Sequence, residues 1–261
     1  MSSAPWVRWF SFALGSLHGL TVAWATAGLS TSFALALLLP QIAHAGATGQ
    51  VTQLSGMVVI RKPNGGSRIL SAKSDVLEGD VIATTENSFA RVKFADGSEA
   101  VLRPGSQVKV VAFRFEEQSP QQNNAVLALL KGGVRIVTGE PTRKNPDSFR
   151  VSTPSAIIGI RGTNFALQFC NDDCAALATP RQGIPANGLH ADVASGAITL
   201  TTQAGSLTVG VGQAAFVQGP AILPVLVPPS QIVRVALPSP ATRPAAQGLT
   251  IGKGGPQACK G

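Results

Sequence analysis

The side chains of this 261-residue chain best suited to chemistry are three cysteines, three histidines and two adjacent acidic pairs. His18 and His44 sit near the start, which leaves His190 as the one imidazole further along and excludes a site built from several histidines. His190 lies two residues before Asp192, so in a strand both would share a face, as a surface pair does. Serine and threonine are plentiful, yet the chain beyond residue 45 has no Gly-x-Ser-x-Gly elbow and no glycine-rich phosphate loop leading into a helix. Glu116-Glu117 and Asp172-Asp173 are neighbours in sequence, not two separated carboxylates flanking a cleft. The expectation is a protein that is not an enzyme, with no catalytic residues, no cofactor and no metal.

Cys170 and Cys174 enclose Asn171, Asp172 and Asp173, all turn formers, and this spacing suits a short disulfide loop in an oxidising compartment. So small a loop would lock a turn rather than hold the fold. A cation site on Asp172 and Asp173 is the alternative, but hard cations need more oxygen ligands. Cys259 is left odd near the end.

Compartment follows from the first 45 residues. Arg8 is their only charge, an apolar stretch runs from Trp9 to Leu39, and Ala43-His44-Ala45 is a small-x-small cleavage signature. A signal peptide cut between Ala45 and Gly46 is expected, with an uncleaved membrane anchor as its rival, because the apolar run is long enough to span a bilayer. The protein is then periplasmic or secreted. Removal of Arg8 lowers the net charge from +8 to +7. Nucleic acid is excluded as a partner, because the chain leaves the cytoplasm and lacks the aromatic residues on which bases stack: Tyr is absent, and Trp6, Trp9 and Trp24 all precede the cleavage site.

What must position any functional residue is a set of short strands. Only 13% of residues are charged, and there are 28 Gly and 18 Pro, which disfavours coiled coils and helical bundles. From Val51 onward apolar residues alternate: Ala90, Val92 and Phe94 point one way, Arg91 and Lys93 the other. Asp96-Gly97 supplies a hairpin turn, Ala100 and Leu102 a return strand, and Pro104-Gly105 a second turn into Val108 and Val110, a three-stranded meander. Similar runs recur at 56–61, 133–137, 149–153, 156–169, 197–202 and 207–211. Residues 124–131 fit a helix or a strand equally, and 116–124 and 178–188 read as loops. After Gly219, prolines at 220, 224, 228, 229, 238, 240 and 244 predict an extended tail.

The run Ser88-Phe89-Ala90-Arg91-Val92-Lys93-Phe94-Ala95-Asp96-Gly97-Ser98, followed by Leu102, Pro104 and Ser106, resembles the first half of the FecR domain. Leu129, Gly132 and Gly133 are similar to its leucine-glycine segment. Phe149-Arg150-Val151-Ser152-Thr153-Pro154 and Ile160-Arg161-Gly162-Thr163-Asn164-Phe165 resemble its terminal signature. The likeness covers roughly 51–169. It implies a periplasmic all-β module, a short twisted solenoid of stacked strands. In well-known members a membrane helix joins this module to a cytoplasmic anti-sigma segment, and an outer-membrane iron transporter supplies the signal. Fewer than about ten residues precede the apolar stretch, too few for a folded anti-sigma segment, so direct sigma-factor control is not expected. Within the motif, Asp96, Gly97, Ser98, Thr153, Pro154, Gly162, Thr163 and Phe165 are expected to be structural. Arg161 is expected to pair with a carboxylate such as Asp96, with an exposed contact for an acidic ligand as the alternative.

The sequence therefore predicts an all-β fold, a β-solenoid or sandwich-like stack of strands and hairpins with an N-terminal signal helix and a Pro-rich tail. Its divisions are a signal peptide over 1–45, a FecR-like β domain over 46–175, additional hairpins packing on it over 176–219, and an extended tail over 220–261. The expected role is an exported, non-enzymatic scaffold or signal-sensing module in the cell envelope that contacts an unknown protein partner. Two alternatives are a module binding wall glycan or acidic polymer, and a membrane-anchored regulator that meets the membrane only through a retained N-terminal segment.

Overall fold

The computed structural model describes residues 46–140, 145–180, 183–228 and 233. The described residues all lie within one compact unit, His44–Gly261. The expected signal peptide, most of the expected tail and Cys259 lie outside them. Among the described residues no helix is long and apolar enough to cross a membrane.

The described chain is nearly all strand, because the period-two alternation of apolar residues is broken repeatedly by turn-forming Gly, Pro, Asn and Asp. In chain order the strands are β1 (Gly49–Ser55), β2 (Val58–Arg61), β3 (Ser67–Ile69), β4 (Asp75–Val76) and β5 (Val81–Thr84). They continue as β6 (Phe89–Phe94), β7 (Glu99–Leu102), β8 (Gln107–Arg114), β9 (Asn124–Val137) and β10 (Phe149–Ser152). The last five are β11 (Ile157–Cys170), β12 (Gly188–Thr202), β13 (Gly205–Val209), β14 (Ala214–Val217) and β15 (Val225–Val227).

Pairing sorts these strands into two ladders that share three members. The front ladder runs β4-β1-β6-β7-β9-β11-β12-β14-β15, and the back ladder runs β3-β2-β5-β8-β9-β10-β11-β12-β13. Among the described strands only β9 and β10 pair in parallel. The sheet does not close; β4 and β15 end the front ladder, β3 and β13 the back one.

The shared strands β9, β11 and β12 are far longer than an ordinary strand of about 5–6 residues, and each changes phase midway. In β9 the core takes Ala125, Leu127 and Leu129, then Val134 and Ile136. In β11 it takes Ile158 and Ile160, then Phe165 and Leu167; in β12 Leu189, Ala191 and Val193, then Ile198 and Leu200. Odd positions give way to even ones, or the reverse. Strict alternation would send one arm of each bent strand outward, and an extra residue at the corner restores the inward face. That residue stands beside a glycine of positive φ, Gly132 (73°), Gly162 (54°) or Gly196 (77°). A Cβ on Gly196 would lie 2.5 Å from the Gly162 carbonyl oxygen, so the corners of β11 and β12 stack backbone on backbone. Residues of both ladders thus fill one core.

Three expectations change. The β6–β7 hairpin forms around Asp96-Gly97, but β8 is not the third strand of a meander, since it pairs with β5 and β9 instead. The Pro104-Gly105 turn carries it into the back ladder, held by Thr84, whose Oγ1 donates to the Arg103 carbonyl and accepts from the Ser106 N–H. Residues 124–131, open between helix and strand, form the first arm of β9, because β8 and β10 flank them and supply ladder partners on both sides. Past Gly219 the chain is not entirely an appendage: Val225–Val227 pairs with β14 as an edge strand, and Pro224 and Pro228 fall just outside it.

Candidate functional site

Cys170 ends β11 and Cys174 follows the turn; a disulfide joins them with their Cα atoms 5.5 Å apart. Asp172 adopts positive φ (59°) in that turn. The Asp173 Oδ1 accepts from the Asn171 N–H at 2.9 Å, the Asp172 Oδ1 from the Asn187 amide at 2.7 Å, and the Lys131 ammonium lies 3.7 Å from Asp173. Asp173 thus serves a donor of the loop itself and Asp172 a donor of the segment before β12, and among the described residues no cluster of His, Cys, Asp or Glu has the makings of a metal site.

The residues of the family motif lie at turns and corners. Asp96 accepts from the Ser98 N–H (2.9 Å) and hydroxyl (2.7 Å), while the Gly139 N–H donates to the Ser98 oxygen at 3.0 Å, tying the β6–β7 turn to the chain after β9. Burial raises the Asp96 carboxyl above its ordinary value, and the two bonds from Ser98 oppose the rise. Thr153, before Pro154, exchanges bonds with Ala156 through its hydroxyl and closes the β10–β11 turn. Gly162 forms the β11 corner, the Thr163 hydroxyl donates to the Ala197 carbonyl at 2.9 Å, and Phe165 is fully buried. Arg161 departs from expectation: it is exposed, and no ion pair joins it to Asp96, whose oxygens are occupied by Ser98. In β11 the even positions 158 and 160 face the core, so alternation turns Arg161 out.

His190 and Asp192 share the outer face of β12. The His190 ring packs on Phe216 with centroids 4.8 Å apart, and its Nε2 lies 2.8 Å from the Ala186 carbonyl. Burial holds this imidazole below its ordinary value, partly offset by that hydrogen bond. The hollow lined by His190, Asp192, Ala214, Val227 and Val233 is too shallow to enclose even a water-sized ligand.

Two surface features went unnoticed in the sequence. One is the edge of β13, open among the described residues, five residues with neither proline nor charge, carried by its pairing with β12. The other is a group of arginines on the outer face of the front ladder, where the Arg91 guanidinium meets Glu99 at 3.1 Å, Arg103 donates to the Gln168 carbonyl oxygen at 2.9 Å and Arg135 to the Asn164 oxygen at 2.9 Å. Partial burial lowers the Arg103 pKa from its ordinary value. Alternation foretells that these side chains face outward but not that they are neighbours, which depends on the register of separate strands.

Residues 80–183 match the family model described as FecR protein. Two crystal structures of a protein assigned as an anti-sigma factor from Parabacteroides distasonis ATCC 8503 are similar to the chain at 14% and 13% identity, with TM-scores of 0.42 and 0.43. Each alignment covers 56% of this chain, which spans only 58% of the length of those structures. A structure described as a cell surface anchoring domain aligns over 24% of this chain and 83% of its own at 28% identity, with a TM-score of 0.24. The comparison with curated proteins gave no match. The corner-and-turn residues from Asp96 to Phe165 lie inside the span over which the chain is similar to the FecR family.

Proposed function

We propose that this protein is an exported, non-enzymatic sensing or scaffold module of the FecR type, which takes up an extended segment of a protein partner as an added strand on β13. The FecR match supports a regulatory, protein-contacting role. The open back ladder carries the strand-addition reading: β13 offers a row of backbone donors and acceptors with no proline to interrupt it and no charge to repel a neighbour. Residues 1–45 direct export and are removed after Ala45. The strands from β1 to the disulfide form the FecR-like body, a solenoid-like stack, and β12 to β14 extend it to the binding edge.

Site-specific photocrosslinking in intact cells tests this. A photoreactive side chain at Ser206 or Thr208, both exposed on β13, should trap a defined protein. The same group at Lys109, on the outer face of β8, should not. Equal yields from the two places, or none from β13, would refute the reading. N-terminal sequencing of the isolated protein should begin at Gly46, and a start at or near Met1 would favour a membrane-anchored regulator.

A further inference from the structure

Arg91, Val101 and Arg135 occupy a single cross-strand row on β6, β7 and β9, and Arg103 stands two residues beyond Val101. Because Ala90, Val92, Ala100, Leu102, Val134 and Ile136 fill the core, alternation turns all four of these residues outward. Val101 is nevertheless only 7% exposed. It stands between Arg91 and Arg135 in that row, and long basic side chains can lay their aliphatic stems over apolar surface.

Amides orient two of the three charged heads. A carboxylate would cancel the positive charge, whereas the carbonyl oxygens of Gln168 and Asn164 fix the direction of Arg103 and Arg135 and leave their charge in place. Each of these guanidiniums has five N–H donors, and the bond to the amide uses one of them. Gly133 is part of the construction. To reach Gln168 on β11, the Arg103 side chain crosses β9 at Gly133, where a Cβ would lie 2.8 Å from the Arg103 Cδ and collide with the Gln168 oxygen. The nearby carboxylates are few. Glu99 is paired with Arg91 and stands opposite Lys93; Asp192 lies two strands beyond Arg135, across Ala166.

We propose that this face binds an acidic, extended polypeptide segment, whose carboxylates are taken by Arg103 and Arg135 with Arg91 adding to the field. Arg103 and Arg135 are diagonal neighbours on adjacent strands, a spacing of about 7–8 Å. The oxygens that hold the two heads belong to Gln168 and Asn164, four residues apart on β11, and alternate residues of an extended chain repeat at roughly 6.6–6.8 Å on one face, so acidic residues two to four positions apart on one face reach the two guanidiniums together. The site is separate from the β13 edge and stands or falls independently of strand addition.

The test is fluorescence anisotropy of a labelled peptide of alternating Glu and Ser with the purified protein at low ionic strength. The double variant Arg103→Gln, Arg135→Gln should weaken binding at least tenfold. Lys109→Gln with Arg150→Gln, which removes the same charge from the back ladder, should change it less than twofold. Glu99→Gln removes the competing carboxylate without touching either amide-held arginine and should tighten binding severalfold, a gain that loss of folding does not mimic. Equal weakening by the two double variants, no tightening by Glu99→Gln, no binding of the peptide, or preferential binding of inorganic polyphosphate of matched charge would each overturn the proposal.

Discussion

Gly196→Ala and Gly97→Ala change the same residue type at nearly the same backbone conformation, φ 77° and 79°, yet should differ sharply in cost. Forcing an L side chain into the left-handed region costs about 1–2 kcal/mol at either position. At Gly97, in the β6–β7 turn, a Cβ meets nothing within 4 Å, so that is the whole penalty. At Gly196 the new Cβ would lie 2.5 Å from the Gly162 carbonyl oxygen and 2.9 Å from that of Arg161. Backbone atoms cannot swing aside as a flexible side chain can, and over-packing of this kind adds about 1–3 kcal/mol. Gly196→Ala should therefore cost about 2–5 kcal/mol, and Gly97→Ala about 1–2 kcal/mol. Urea unfolding followed by circular dichroism measures both, with the slope compared so that a change in compactness is not mistaken for a change in stability. Equal losses would mean that the corners of β11 and β12 do not stack as described.

Lys62→Met should be among the more damaging single changes outside the core. It leaves Asp80, fully buried and held at 2.8 Å by the Lys62 ammonium, without its counter-charge, at a cost of about 3–5 kcal/mol. Arg114→Met, at an exposed pair, should cost no more than about 1 kcal/mol in the same urea titration. Reduction of Cys170–Cys174, a loop with a sequence separation of only 4, should lower stability by about 2 kcal/mol and leave the strand content unchanged by circular dichroism. Burial holds the His190 imidazole below its ordinary 6.5, so its contribution to stability is complete above that value and is lost as pH falls through it toward the folded value. The fall should be smaller in His190→Gln, measured by urea unfolding at pH 7.5 and 5, and an identical fall in both proteins would refute the assignment.

The strand positions were legible in the sequence because period-two alternation and Asp96-Gly97 are local signals. Ala90, Val92 and Phe94 face the core and Asp96-Gly97 turns the chain, as their spacing requires. The bends were not legible. At Gly132, Gly162 and Gly196 the alternation skips a beat, which in one dimension looks like the end of one strand and the start of another, so β9 and β12 read as shorter pieces, while β11 reads as one run over 156–169 without its bend. The failure of the meander has the same root. Nothing local to Pro104-Gly105 says that β8 leaves the front ladder; that depends on Thr84, 20 residues earlier, and its bonds to Arg103 and Ser106. For Arg161 the sequence favours a carboxylate partner such as Asp96 over an exposed contact for an acidic ligand, but its outward position follows from the phase of Ile158 and Ile160. Register, rather than residue type, decides which outward side chains become neighbours, and this hid the arrangement of Arg91, Arg103 and Arg135.

The β13 edge bears the weight of the functional account, and residue-resolved amide hydrogen exchange of the protein alone tests it most directly. Along Gly205–Val209, amides bonded to β12 should be protected while the alternate, outward amides exchange at the rate of amides that have no protein acceptor. Uniform protection along β13 would mean that the edge is already covered, and strand addition there would be ruled out.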